Sequence, residues 1–119
     1  MQKFVGIDLA WLGGKNTSAV SVATLEDNGL HVVNVIPSIA KWSDVLGLVS
    51  ELDNVRGIAI DAPLIIKNVS GQRNCERELN REYSKRFAGA HPANLSLYHD
   101  ADAIRLSEEL TKQGFVHLN

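Results

Sequence analysis

A single cysteine, Cys75, stands in 119 residues, so the chain can form no intrachain disulfide and no cysteine-rich zinc site. No apolar run approaches the roughly 20 residues that a bilayer-spanning helix requires. The N-terminal stretch MQKFVGIDLA leads directly into an apolar strand without the layout of a signal peptide. Basic charge is not in excess: 12 Lys and Arg stand against 14 Asp and Glu, a net charge of -2, so nucleic acid could be held only by a local basic patch. P-loop, dinucleotide and zinc-ligand spacings are missing too. The expectation left by these absences is a soluble, cytoplasmic protein with no membrane partner, and 45% hydrophobic residues at this length suit one domain with a core.

Three prolines and a few turn clusters punctuate what is there. Phe4 to Leu9 is short and apolar, a first strand. Gly13-Gly14-Lys15-Asn16 suits a tight reversal, and Thr17 to Leu25 alternates small and β-branched residues as a second strand. Asn28-Gly29 is a strong hairpin signal, after which Leu30 to Ile36 forms a third strand stopped by Pro37. Apolar residues from Val45 to Val55 recur at helical spacing, with Ser43 or Asp44 as cap and Gly57 as terminator. Ile58 onward is a fourth strand that ends near Asp61, because Pro63 cannot donate to a ladder. Two hairpins and a right-handed crossover make strands one and four run the same way, though direction alone leaves open whether they are neighbours.

Beyond them, the spacing predicts a helix over Asn74 to Phe87, with an apolar stripe Cys75, Leu79, Tyr83, Phe87 and a basic stripe Arg73, Arg77, Arg81, Lys85 roughly opposite. The stripe makes Cys75 a packing residue. Gly89 to Leu97 is a loop, and Ala101 to Lys112 a helix capped by Asp100 and closed by Gly114. Phe115 to Leu118 then begins a further strand, an ending that suggests more chain follows and that would leave an edge open to pairing in a homodimer.

The residues that draw chemical interest are Asp8 and Asp61. Each interrupts the end of an apolar strand, in VGIDLAW and GIAIDAPL, and both fall at the same carboxyl-terminal edge, where open α/β sheets bind ligands. Aspartate commonly starts a turn after a strand. Two of them at one edge, however, form a donor set for a hard cation such as Mg²⁺ or Mn²⁺, which activates water and stabilises phosphodiester cleavage. Arg73 and Arg77 on the basic stripe suit phosphate oxygens, although Glu76, Glu78 and Glu82 flank them with opposite charge, and Lys15 in the glycine-rich reversal is a further candidate for substrate contact. His91, in a loop, is a candidate proton carrier.

In order along the chain, VGIDLAW, GIAIDAPL, GQRNCERELNRE and GAHPAN resemble a family of predicted nucleases of ribonuclease H-like fold, known as domain of unknown function 429. The likeness runs from about Phe4 to Asn94. It implies an α/β ribonuclease H-like fold whose mixed sheet opens with a three-strand antiparallel meander, followed by a helix and a parallel fourth strand beside the first. It implies Asp8 and Asp61 as metal ligands, with Glu76 a further candidate acid, and it favours Arg73 and His91 because both lie in its motifs. Residues 1–119 are then a single ribonuclease H-like domain lacking a C-terminal portion, and the activity expected is metal-dependent hydrolysis of a nucleic acid. Two other readings stand beside it. A non-catalytic binding or assembly domain could keep the fold without the full acid set. An actin- or sugar-kinase-like nucleotide site could use Gly13, Gly14, Lys15 and Thr17 around phosphates, but Pro63 after Asp61 offers no backbone donor there.

Overall fold

In the computed structural model, which describes residues 1–11, 16–99 and 101–118, the first three strands form the expected meander. Strands β1 (Lys3–Asp8), β2 (Ser18–Glu26) and β3 (Gly29–Ile39) pair antiparallel in turn. Helix α1 (Trp42–Glu51) leads to β4 (Val55–Asp61), which joins the sheet parallel to β1, giving the order β3-β2-β1-β4. The protein is therefore mixed α/β with a four-stranded mixed sheet. The reversal expected at Gly13, Gly14 and Lys15 lies outside the described residues, as does the expected cap Asp100.

Alternation decides which sheet face is covered. Val5 and Ile7 of β1 and Val20 and Val22 of β2 are buried on one face. They belong to one apolar core with Val45 and Val49 of α1 and Ala103, Leu106 and Leu110 of α4 (Asp102–Lys112). Phe4, Gly6 and Asp8 alternate onto the other face, whose neighbours are mostly small. Gly6 lies so close to Ser21 that a Cβ there would meet the hydroxyl at 2.7 Å.

Several expectations need correction. Pro37 does not stop β3, which runs on to Ile39. The pairing skips residues between Val20↔Ile36 and Ser18↔Ile39, so Pro37 sits in a bulge on an edge strand, where the missing N–H is tolerated. Helix α1 ends at Glu51 rather than at Gly57, and Gly57 is a strand residue opposite Phe4. Between them Asn54 takes a left-handed conformation (φ 54°), which asparagine adopts more readily than most residues. No strand forms over residues 115–118.

The chain divides into two compact units, residues 1–62 with 101–119, and residues 63–100. The second unit holds α2 (Asn74–Tyr83), a 3-10 turn (Ser84–Arg86) and the short α3 (Leu95–Tyr98). Helix α2 departs from the apolar-stripe expectation. Its buried residue is Glu76, while Cys75, Leu79, Tyr83 and Phe87 are exposed. Phe87 is left-handed (φ 59°). The Ala88 N–H donates to Tyr83 O and the Phe87 N–H to Ser84 O, a Schellman closure in which Phe87 holds the position usually given to glycine. A residue with a Cβ is disfavoured there by roughly 1–2 kcal/mol. No helix among the described residues is long and apolar enough to cross a membrane.

Candidate functional site

The register of β1 and β4 brings the two aspartates together. The strands pair Phe4↔Gly57, Val5↔Ile58, Gly6↔Ala59, Ile7↔Ile60 and Asp8↔Asp61, so the acids are direct cross-strand partners. In-register partners share a face, and adjacent strands lie about 4.8 Å apart. Both side chains are exposed at the last residue of their strands.

That register is fixed at the far end of the strands. The Lys3 N–H donates to Asn54 O at 3.0 Å, Asn54 Nδ2 donates to Met1 O at 2.9 Å, and Lys3 Nζ pairs with Asp53. The ladder shifts once, between Lys3 and Phe4, and then runs without irregularity to the aspartates. At the site end, the Ala10 N–H donates to the buried Ser18 Oγ at 2.9 Å, which pins the chain leaving β1 to the start of β2.

Like charges placed directly opposite on neighbouring strands repel. Two exposed carboxylates side by side, oxygen donors only, match the chemistry of a hard divalent cation. Among the described residues no three His, Cys, Asp or Glu side chains gather as one metal-holding group, so the acids stand as a pair. No motif or spacing marks Asp102 in the sequence. The Asp102 N–H donates to Trp11 O at 3.2 Å, which fixes the first turn of α4 three residues beyond the end of β1.

The remaining expected site residues fall in the second unit, except Lys15, which lies outside the described residues. Glu76 is only 3% exposed and its carboxylate is engaged on both oxygens. Oε1 accepts from Arg73 Nε, Oε2 accepts from the Arg73 N–H at 3.3 Å, and the Ala93 N–H donates at 2.9 Å to Oε2 and 3.2 Å to Oε1. Burial alone would push this carboxyl up. The bonds from the Arg73 side chain and from the Ala93 and Arg73 N–H groups, with the guanidinium charge, outweigh burial and hold it below its ordinary 4.5.

Asn80 binds the same loop one turn further on, donating Nδ2 to Ala90 O at 3.0 Å and accepting from the Ala90 N–H at 2.8 Å. A Cβ on Gly89 would lie 2.6 Å from Asn80 Oδ1, so glycine is needed for that approach. Asn94 completes the knot: Nδ2 donates to Gly71 O at 3.1 Å, and Oδ1 caps the Leu97 N–H at 2.9 Å. The motifs GQRNCERELNRE and GAHPAN thus form one hydrogen-bonded assembly, with His91 exposed between Ala90 and Ala93. Arg77 is exposed, with Nη1 3.4 Å from Asn74 Oδ1.

A family model described as a protein of unknown function (DUF429) matches residues 6–117. Neither the curated proteins nor the solved structures returned a match.

Proposed function

Because the chain belongs to the DUF429 family of proteins of unknown function, we propose its activity from the site itself: metal-dependent hydrolysis of a phosphodiester on a ribonuclease H-like fold. The observation that carries this reading is the direct pairing of Asp8 with Asp61 at the end of adjacent parallel strands. The order β3-β2-β1-β4, an antiparallel meander followed by a parallel fourth strand beside the first, supports the fold assignment. Asp8 and Asp61 would hold Mg²⁺ or Mn²⁺. When bound, the ion would supply an activated water and stabilise charge on the phosphate oxygens.

On sequence grounds, His91 is assigned proton transfer and Arg77 and Lys15 phosphate contacts. Glu76 and Arg73, expected at the metal and at phosphate respectively, are assigned instead to holding the second unit together, since their polar atoms already serve each other and Ala93.

The test is calorimetric titration of Mg²⁺ and Mn²⁺ into the parent, Asp8→Asn and Asp61→Asn, followed by cleavage assays on labelled RNA and DNA, single- and double-stranded. Binding in the parent that either substitution abolishes, with metal-dependent cleavage lost in parallel, is expected. Metal binding unchanged in both variants would overturn the reading.

A further inference from the structure

We infer that the turn closing α2, Arg81-Glu82-Tyr83-Ser84-Lys85-Arg86-Phe87, is a binding platform for single-stranded nucleic acid. The phosphodiesterase reading is deepened by this, since it names the class of polymer. Charge is segregated along the chain: residues 63–100 carry six Lys and Arg against four Asp and Glu, and the rest carries six against ten. Three of those six cations fall within this turn. Lys85 and Arg86 are exposed and have no ion-pair partner among the described residues, while Arg81 stands 3.8 Å from Glu82. Glu78, also exposed, is the other acid of the helix outside the Glu76 knot.

Two aromatic side chains bracket the cations. Tyr83 is 46% exposed and Phe87 is fully exposed. Phe87 is the more telling. It occupies the left-handed position that glycine fills at least strain, and its ring buries nothing in return. Among the described residues nothing covers the phenyl group, so the fold there gains nothing from it and the ring stands open to a ligand. Aromatic rings interleaved with unpaired cations are the elements of single-strand recognition: bases stack on the rings and phosphates meet the cations, largely without regard to sequence. Duplex bases, already stacked on one another, cannot use the rings in this way.

The test is fluorescence anisotropy of the full chain with labelled oligo(dT) and oligo(U) of about 15 nucleotides, in EDTA and at low salt. Omitting metal separates this proposal from the hydrolysis reading, because binding here is independent of Asp8 and Asp61. The parent should bind both oligonucleotides more tightly than a duplex of the same length. Phe87→Gly should weaken binding roughly tenfold while its melting temperature holds or rises. Lys85→Ser with Arg86→Ser should flatten the log–log salt dependence by about 1.4, at ~0.7 for each phosphate that is no longer neutralised. Failure of the parent to bind, unchanged binding by Phe87→Gly, or binding to phosphatidylserine vesicles with none to oligonucleotides would overturn the proposal.

Discussion

Removing the carboxylate of Glu76 would leave three donors without their acceptor: Arg73 Nε, the Arg73 N–H and the Ala93 N–H. Arg73 is itself part-exposed, at 32% of its side chain, so water can recover some of that loss. Glu76→Ala should therefore destabilise the second unit by about 3 kcal/mol, the lower end for breaking a buried pair. The sign of the pH dependence follows from the direction of its titration. A carboxyl held below its ordinary 4.5 in the folded chain contributes stability that is fully present above that value. That stability is lost as pH falls through the lower folded value. Acid unfolding followed by far-ultraviolet circular dichroism should show a step beginning below about 4.5 in the parent. Glu76→Gln, which cannot ionise, should be less stable at neutral pH and should lack that step.

At the scale of elements, the two features least legible in the sequence are β3 and α2. Pro37 reads as a strand stop because proline cannot serve a ladder. That rule loses its force where the ladder already skips a residue on an edge, and periodicity cannot show which strand is the edge. Pro37→Ala should accordingly change stability by less than about 0.5 kcal/mol, as at an ordinary surface position, a difference that urea unfolding can bound. On α2 the four-residue recurrence of Cys75, Leu79, Tyr83 and Phe87 suggests an inward face, yet the inward residue is Glu76. Its donors come partly from Ala93, seventeen residues onward, and no local pattern reveals such a partner. Asn80 acts the same way on Ala90. Asn80→Ala removes two hydrogen bonds and should cost about 1–3 kcal/mol. Hydrogen exchange at the Ala90 amide should accelerate in that variant while amides of the β1–β2 ladder keep their protection.

For the whole molecule, the meander and the crossover were readable from turn residues and period, and so was the shared direction of β1 and β4. Their adjacency was not readable in that way, because direction does not fix strand order; only the family resemblance implied it. The site depends on that adjacency, and on a register set by Lys3, Asp53 and Asn54 at the opposite end of the strands. A pair of like charges held in this way has a thermodynamic signature that cleavage assays alone would miss. Without divalent ions the carboxylates repel across the ladder, so Asp8→Asn or Asp61→Asn should stabilise the chain by a few tenths of a kcal/mol, up to about 1. With Mg²⁺ at about a hundredfold over its dissociation constant, the parent should gain about 2.7 kcal/mol by mass action and the variants far less. The order of melting temperatures should therefore invert between EDTA and saturating Mg²⁺. An equal rise in all three proteins would mean that the ion binds elsewhere, and an unchanged order would mean that Asp8 and Asp61 are paired by the register without sharing a metal.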